Sequence, residues 1–483
     1  LYQFGMGSCG ENHPIGACAP DGRWFCADFS PAMVRCFRRW LRAKYGTDEA
    51  LQAAWSLPEI GLDRAEPPPR IERLRTDWFT FRDPRRAWVA GYLECFADRI
   101  EEIVISICSA IKRATHRESL AGSHLGALMD AGFHAYLYNQ VCTNKFRRAL
   151  EHPDVDTFTS PASYDNRVPG GDSTSMMPAG SLLLHNKLIF QDQDTRTFHI
   201  PEAARRGYIL GTIAADARET VGVLKRDVGQ AVIRGYGFWW HAMVPGMYDH
   251  PAVQECITRL SEIARRSLHF PRGVPAGVAI LVDEESAFHQ QNANRLFYPM
   301  LYYQRQYYWG RSGVAWNLYL HNDLECSDFP DHRFYWFLNT IHLTDAEMAA
   351  VEKRVKRNGN VVLWTYAPGL QSPAGLDLKR TERLTGFRLR SADVEALPRV
   401  TLTNRDHPFA RDDRPAGSIH RYRDPEAMPT FVGAGPMGND DRAGIFGPLI
   451  YVDDPEAEVV GELDPLQAPG FCVKRFDNWT SIF

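Results

Sequence analysis

Two acidic side chains lie directly after apolar segments that have the character of β-strands. Glu11 follows residues 1–6, and Asp192 follows residues 187–190. Hydrolysis of a glycosidic bond needs two carboxyl groups, one that donates a proton and one that acts as nucleophile or base. The chain holds 59 Asp and Glu residues, so such a pair can arise by chance, and Asp194 is a second candidate for the nucleophile. The pair indicates this chemistry only if the surrounding helices and strands bring the two carboxyl groups together.

Strands and helices alternate around these two carboxylates. A first helix is predicted to begin at Ser30, a good N-cap, with Pro31 at its first position, and to end at Gly46. Further helices are predicted over residues 48–54, 83–115, 133–150, 201–217 and 251–268, and further strands over residues 119–123, 155–160 and 230–236. This alternation favours a parallel α/β architecture.

Five strands are predicted before about residue 270, whereas a closed (β/α)8 barrel needs eight. The chain begins with Leu1 and not with Met. Either three further strands are hidden in the predicted loops, or the first strands of such a barrel lie upstream of Leu1, and the absence of a starting Met favours the second alternative. Barrel enzymes place their catalytic side chains at the carboxyl ends of strands, where Glu11 and Asp192 both fall.

A second domain is predicted to begin near Gly273. Apolar segments at residues 278–282, 314–320, 334–338 and 361–365 have strand character, and residues 450–452 and 471–474 resume it near the end of the chain. Thr344 and Glu347 form a capping box at the start of a helix that is predicted to end near Gly359. The winding is β-α-β, flavodoxin-like in character. Residues 405–445 are rich in Asp, Arg, Gly and Pro and are predicted to be an insertion.

The composition is that of an ordinary globular chain, with 44% hydrophobic and 24% charged residues. A net charge of −4 argues against a nucleic-acid partner, which usually meets a basic face. No apolar run reaches the length of about 18 residues that a membrane span needs. The ten cysteines lack the tight spacing of a structural zinc site, so we expect buried thiols and no metal. A basic leader followed by an apolar segment is absent, which favours a cytoplasmic location.

A series of motifs resembles the family 42 β-galactosidases and their relatives. Residues 37–46 (FRRWLRAKYG), followed by Leu51 and the pair 54–55, resemble the FRxWLxxKYG…LNxAW stretch of that family. Residues 160–167 (SPASYDNR) with 170–171 resemble its SPxSYxxRxxGG stretch, and residues 185–197 (HNKLIFQDQDTRT) are similar to HGKLxxxExDxRT. Residues 235–248 resemble the family's eighth-strand segment. The resemblance covers most of the chain.

The resemblance implies a (β/α)8 TIM barrel, from about strand four onward, over residues 1–272. Residues 273–483 would then form a flavodoxin-like α/β domain that is not catalytic and helps to build a homotrimer. Glu11 would be the acid/base, and Asp192 would be the nucleophile of a retaining exo-β-glycosidase that acts on a β-galactoside. In a retaining enzyme the two carboxyl groups lie about 5–6 Å apart. A carbohydrate substrate and no cofactor are expected.

Further side chains near the predicted strand ends are candidates for substrate binding: His13, Tyr164, Arg167, Arg196, Trp239, Trp240 and His241. For several of them a structural role is an open alternative. Tyr164 and Arg167 could belong to a plain turn, the two tryptophans could pack in the barrel core, and Asp192 could be a helix N-cap or an ion-pair partner of Arg196.

The sequence departs from the family pattern at both carboxylates. Gly10 precedes Glu11 where the family has Asn, and Asp192 stands where the family has a glutamate, which is one methylene longer. Two other readings of the chain follow. It could be a catalytically inactive homologue that binds carbohydrate, or an unrelated α/β scaffold in which Glu11 and Asp192 lie far apart.

Overall fold

The computed structural model describes residues 1–5, 12, 28–69, 87–126, 128–129, 143–162, 167, 169–172, 175–200, 214–271, 276–289, 300–301, 309–372, 375–396, 398–410, 446–464 and 466–483. Its helices are α1 (Pro31–Tyr45), α2 (Asp48–Trp55), α3 (Ala87–Ala114), α4 (Arg147–Glu151), α5 (Ala179–Leu184), α6 (Ala217–Arg234), α7 (Pro251–Ser267), α8 (Asp345–Arg354) and α9 (Leu378–Thr385). Short 3-10 helices span Ser286–His289, Trp309–Arg311, His321–Glu325 and Pro408–Ala410.

The strands of the first half are β1 (Tyr2–Phe4), β2 (Ala121–His124), β3 (Thr157–Pro161), β4 (Leu188–Gln193) and β5 (Gly237–Trp240). Those of the second half are β6 (Val278–Val282), β7 (Trp316–Leu320), β8 (Phe334–Phe337), β9 (Asn360–Trp364), β10 (Gln371–Ser372), β11 (Gly375–Leu376), β12 (Leu389–Ala392), β13 (Arg399–Leu402), β14 (Leu449–Val452), β15 (Glu458–Asp464), β16 (Ala468–Arg475) and β17 (Trp479–Ile482).

The first sheet contains five parallel strands in the order β1-β2-β3-β4-β5. Strands that are neighbours in the chain are therefore neighbours in the sheet. A doubly wound sheet would reverse this order at a switch point, whereas a (β/α)8 barrel keeps it throughout. The arrangement is that of part of a (β/α)8 barrel, as the sequence predicts.

Local signals explain where the helices of this half begin and end. The Ser30 hydroxyl accepts a hydrogen bond from the Met33 amide, and Gly46 ends α1 with φ +77°, a conformation that favours glycine. The Asp216 side chain caps α6 in the same way, and Gly235 ends it in the left-handed region.

One predicted strand is wrong. Residues 230–236 were expected to be extended, but α6 continues to Arg234 and β5 begins only at Gly237. Leu224, Val228 and Ala231 are buried at helical spacing, so the apolar run 231–233 completes a helix face. The prediction of a helix over residues 201–217 lies largely outside the described residues.

The second half is built on an eight-stranded mixed sheet in the order β13-β15-β16-β17-β9-β8-β6-β7. Strands β7, β6, β8, β9 and β17 run parallel, and β17, β16, β15 and β13 pair antiparallel. The order β7-β6-β8-β9 is the 2-1-3-4 order that begins a doubly wound sheet. The capping box at Thr344 and Glu347 is present and starts α8.

The two halves pack closely where α5 covers the edge strand β7. The Ser181 hydroxyl accepts a hydrogen bond of 2.7 Å from the Leu320 amide, which would otherwise be an unpaired edge group. A Cβ at Gly180 would lie 2.6 Å from the Leu318 carbonyl oxygen. Only glycine therefore fits at this contact without a shift of the backbone.

Buried charges join the two halves beside α3. Lys145 lies 2.9 Å from Asp98 and 2.8 Å from Glu285. Glu101 accepts a hydrogen bond of 2.7 Å from the Ala149 amide, and burial raises its pKa to about 7. Burial and the nearby Glu101 also raise the pKa of Glu284 well above its usual value. This seam therefore holds carboxyl groups that are easier to protonate than exposed ones.

In the described part of the chain, no helix has the length and apolar character needed to cross a membrane. Free thiols are found at Cys36, Cys95, Cys108, Cys256, Cys326 and Cys472.

Candidate active site

Asp192 lies at the carboxyl end of β4 and faces the interior side of the first sheet. It pairs with Pro161 of β3 and with Trp239 of β5. Side chains alternate between the two faces of a strand, so Phe190 shares the face of Asp192, while Ile189 points to the opposite face and is buried in the hydrophobic core. The Phe190 and Trp239 rings lie 5.8 Å apart, which fixes Trp239 on the same face as Asp192.

The two carboxylate oxygens of Asp192 have different surroundings. Oδ2 lies 3.4 Å from Nε2 of His124, at the end of β2, and 4.0 Å from Nδ1 of His241, just after β5. Oδ1 is buried and has no hydrogen-bond partner among the described residues. The residue as a whole is 7% exposed, so solvent reaches little of it. A buried polar atom without a partner is costly, and such atoms are often found where a protein binds or transforms something.

The position of His241 follows from the sheet. Its amide donates a hydrogen bond of 3.1 Å to the Gln193 carbonyl, which extends the β4–β5 ladder beyond Trp240. The Tyr248 hydroxyl donates to the same carbonyl at 2.5 Å. His241 therefore falls on the interior face, near Asp192.

Asp194 is held in a buried ion-pair cluster with two arginines. Its carboxylate lies 2.5 Å from Nη1 of Arg167 and 3.1 Å from Nη1 of Arg196, and all three side chains are buried. Arg167 also donates to the Ala162 carbonyl from Nε and Nη2. Both arginines thus pair with Asp194, two residues beyond Asp192. This cluster fixes the end of β4 and engages both oxygens of the alternative nucleophile.

The two tryptophans of β5 lie on opposite faces. Trp239 is half-buried on the interior face beside Phe190. Trp240 points to the outer layer, where its indole Nε1 donates to the Ser261 hydroxyl of α7 at 3.2 Å and its ring packs against Tyr248. Trp240 therefore points away from Asp192, and these contacts are those of the packing role that the sequence left open.

Three of the predicted site residues, Glu11, His13 and Tyr164, lie outside the described residues. The neighbouring Asn12 is described and buried, and its Nδ2 donates hydrogen bonds to the Ser123 hydroxyl, at 2.8 Å, and to the His124 carbonyl. The chain immediately after Glu11 is therefore attached to the end of β2.

Sequence reasoning missed His124 and Asn12. His124 directly follows the predicted strand 119–123, so the rule that singled out Asp192, a polar residue after a strand, also applies to it. No comparable signal marked Asn12, because its role depends on a contact with a strand more than a hundred residues away.

Among the described residues, one group has donor atoms close enough together to hold a metal ion: His185, Asp323 and Cys326. His185 Nε2 lies 2.9 Å from Asp323 Oδ1. The Arg147 guanidinium pairs with the same oxygen and lies 3.8 Å from the Cys326 sulfur. A cationic side chain therefore already neutralises Asp323, and the cluster is better explained as an ion-pair contact between the two halves.

No protein-family model and no curated protein matches the chain. Solved structures of β-galactosidases do share its fold. They include a polyextremophilic enzyme from the Antarctic haloarchaeon Halorubrum lacusprofundi (12% identity, TM-score 0.53, covering 96% of this chain and 65% of that one). The catalytic mutant of a GH42 β-galactosidase from G. stearothermophilus is also similar (13% identity, TM-score 0.51, covering 94% of this chain and 64% of that one). So is a β-galactosidase from the psychrophilic Marinomonas ef1 (12% identity, TM-score 0.50, covering 97% of this chain and 67% of that one).

These likenesses confirm the predicted resemblance to GH42 β-galactosidases, and with it the (β/α)8 barrel, at the level of the fold. The chain spans about two thirds of the length of each of these structures. At 12–13% identity they say nothing about individual side chains.

Proposed function

We propose that this chain carries the carboxylate pair of a retaining exo-β-glycosidase that acts on a terminal β-galactoside, with Asp192 as nucleophile and Glu11 as acid/base. The observation that supports it best is the carboxylate of Asp192. It lies at the carboxyl end of a strand, faces the interior of a barrel-type sheet, and has one buried oxygen without a hydrogen-bond partner in the described part of the chain.

The proposed reaction has two steps. Asp192 Oδ1 attacks the anomeric carbon while the bond to the leaving oxygen breaks, and that oxygen takes the proton of Glu11. Glu11, now a carboxylate, then takes a proton from water as the water oxygen attacks the anomeric carbon. This step breaks the glycosyl ester and returns both carboxyl groups to their starting state.

The ion pairs around Asp194 favour Asp192 over its neighbour as the nucleophile. Asp194 already forms ion pairs with two guanidinium groups and accepts a hydrogen bond from Arg196, and these contacts stabilise its negative charge and lower its reactivity. Arg167 and Arg196 would act in this proposal by fixing the end of β4. Trp239 and His241 are the described side chains that we propose to contact the sugar, and His13 and Tyr164 remain predictions.

The test is hydrolysis of an activated aryl β-galactoside by the full-length protein and by Asp192→Ala. Asp192→Ala should abolish hydrolysis, and azide should partly restore it by attacking the anomeric carbon in place of the carboxylate, giving a galactosyl azide. Asp331→Ala is the matched control, because Asp331 is exposed and its ion pair is with Arg357 at the surface. Equal activity in Asp192→Ala and the unaltered protein would overturn the assignment.

The second candidate function is carbohydrate binding without catalysis, which the shorter side chain at Asp192 favours. In that case the unaltered protein binds galactosides in a calorimetric titration but releases no aryl alcohol. The homotrimer implied by the resemblance belongs to the same proposal, and sedimentation analysis would test it.

A further inference from the structure

His124 reaches Asp192 across the interior face of the sheet. It pairs with Thr159 of β3, which in turn pairs with Phe190 of β4, so a whole strand separates His124 from Asp192. Its imidazole nevertheless brings Nε2 to 3.4 Å from Oδ2 of Asp192, while Nδ1 is buried and lacks a partner among the described residues. Among the described residues Nε2 is the ring nitrogen with an acceptor in reach, so we assign the imidazole proton to it.

A donor on Oδ2 distinguishes the two oxygens of the carboxylate. An Nε2–H bond restrains rotation of the carboxylate and leaves the lone pairs of Oδ1 free for the anomeric carbon. Hydrogen bonds of this kind are often long before substrate binds and shorten in the reacting complex. The exposed His241, 4.0 Å from the same oxygen, is less restrained than the half-buried His124.

Asn12 holds the chain next to Glu11 against the same strand end. Its buried side-chain amide donates to the Ser123 hydroxyl and to the His124 carbonyl, and Ser123 donates to the Phe4 carbonyl of β1 at 2.7 Å. Asn12 has φ +61°, a left-handed conformation that asparagine tolerates better than most residues. The peptide next to Glu11 and the imidazole next to Asp192 thus share one anchor.

We propose that His124 and Asn12 are positioning residues, a role that rests on the proposed function. His124 orients the Asp192 carboxylate for attack. Asn12, the residue after Glu11 in the chain, is held at the end of β2, and through it the proposed proton donor keeps its place relative to the nucleophile.

The His124 test compares a variant that keeps a donor with variants that lose it. His124→Phe, or His124→Leu where the phenyl ring does not fit, should lower kcat by about 10²-fold, the cost of misplacing a reacting group by about 1 Å. KM should change much less, and the acidic limb of the pH profile should move to higher pH because the carboxylate loses a donor. His124→Gln offers an amide N–H and should recover most of the loss. His269→Phe, at an exposed position after α7, is the control.

The Asn12 test uses the leaving group. Phenyl β-galactoside needs a proton on its leaving oxygen, whereas 2,4-dinitrophenyl β-galactoside does not. Asn12→Ala should therefore lower the rate of hydrolysis of the phenyl substrate at least ten-fold more than that of the dinitrophenyl substrate. His124→Phe should slow both substrates to a similar extent, because it acts on the nucleophile.

The outcomes separate this inference from the function on which it rests. Hydrolysis by the unaltered protein with unchanged rates and pH profiles in the His124 and Asn12 variants overturns the inference alone. Equal slowing of both substrates by Asn12→Ala overturns the role of Asn12. Absence of hydrolysis by the unaltered protein overturns the proposed function and this inference together.

Discussion

Lengthening the proposed nucleophile by one methylene, with Asp192→Glu, tests whether the site is adapted to aspartate. The extra methylene advances the carboxylate by about 1.3 Å along the side chain. Oδ2 of Asp192 now lies 3.4 Å from Nε2 of His124. If the longer side chain kept the same direction, this separation would fall to about 2.1 Å, well below the hydrogen-bond range of about 2.7–3.2 Å.

The glutamate must therefore adopt another rotamer or displace His124. Asp192 is buried, so there is little space to absorb the change. We expect kcat/KM for an activated aryl β-galactoside to fall by about 10²-fold, equivalent to about 2.7 kcal/mol of transition-state stabilisation. The control is Asp331→Glu, the same chemical change at an exposed position, which should leave the rate unaltered.

A rise in activity on Asp192→Glu would refute this reasoning. It would mean that the glutamate of the family pattern still fits and that the aspartate is a loss of function. Thermal unfolding of both variants separates a local effect on the reaction from a loss of folded protein.

Two further predictions concern stability. Asp194→Ala removes the carboxylate that pairs with both buried arginines of the cluster and should lower the free energy of unfolding by about 3–5 kcal/mol in urea titrations, whereas a loss below about 1 kcal/mol would show that the cluster is not structural. The pKa of about 7 at Glu101 means that the folded protein holds a proton there which the unfolded chain has released, so stability falls as pH rises from about 4.5 to 7. Glu101→Gln keeps an acceptor for the Ala149 amide and should remove this part of the pH dependence. Its free energy of unfolding at pH 8 should exceed that of the unaltered protein by about 3 kcal/mol. The same difference in unfolding free energy between the two proteins at pH 5 and at pH 8 would contradict this prediction.

The order of strands and helices, and the place of Asp192 at a strand end, were predictable from local sequence. Caps such as Ser30 and the box at Thr344 act within one turn of a helix, so their residues suffice to locate a helix start. The strand before Asp192 is short and apolar and is followed by polar residues, which is also a local signal. The family motifs added the assignment of a barrel, which five strands alone could not give.

The face on which each side chain lies was not predictable, because it depends on where a strand begins. Residues 230–236 were predicted as the last strand of this half, and this prediction did not decide on which face of the sheet Trp239 and Trp240 lie. Side chains alternate with a period of two, so the observed start at Gly237 places Trp239 inside and Trp240 among the outer helices.

The partners of the charged residues were decided by tertiary structure alone. The sequence offered Asp192 and Asp194 as equivalent carboxylates beside Arg196, and only the approach of Arg167 from the neighbouring loop assigns the arginines to Asp194. His124 lies 68 residues before Asp192 in the chain, and the parallel register across β3 brings the two together. A sequence determines which elements form through contacts a few residues apart, whereas the chemistry of a barrel site depends on side chains that separate strands bring to one end of the sheet.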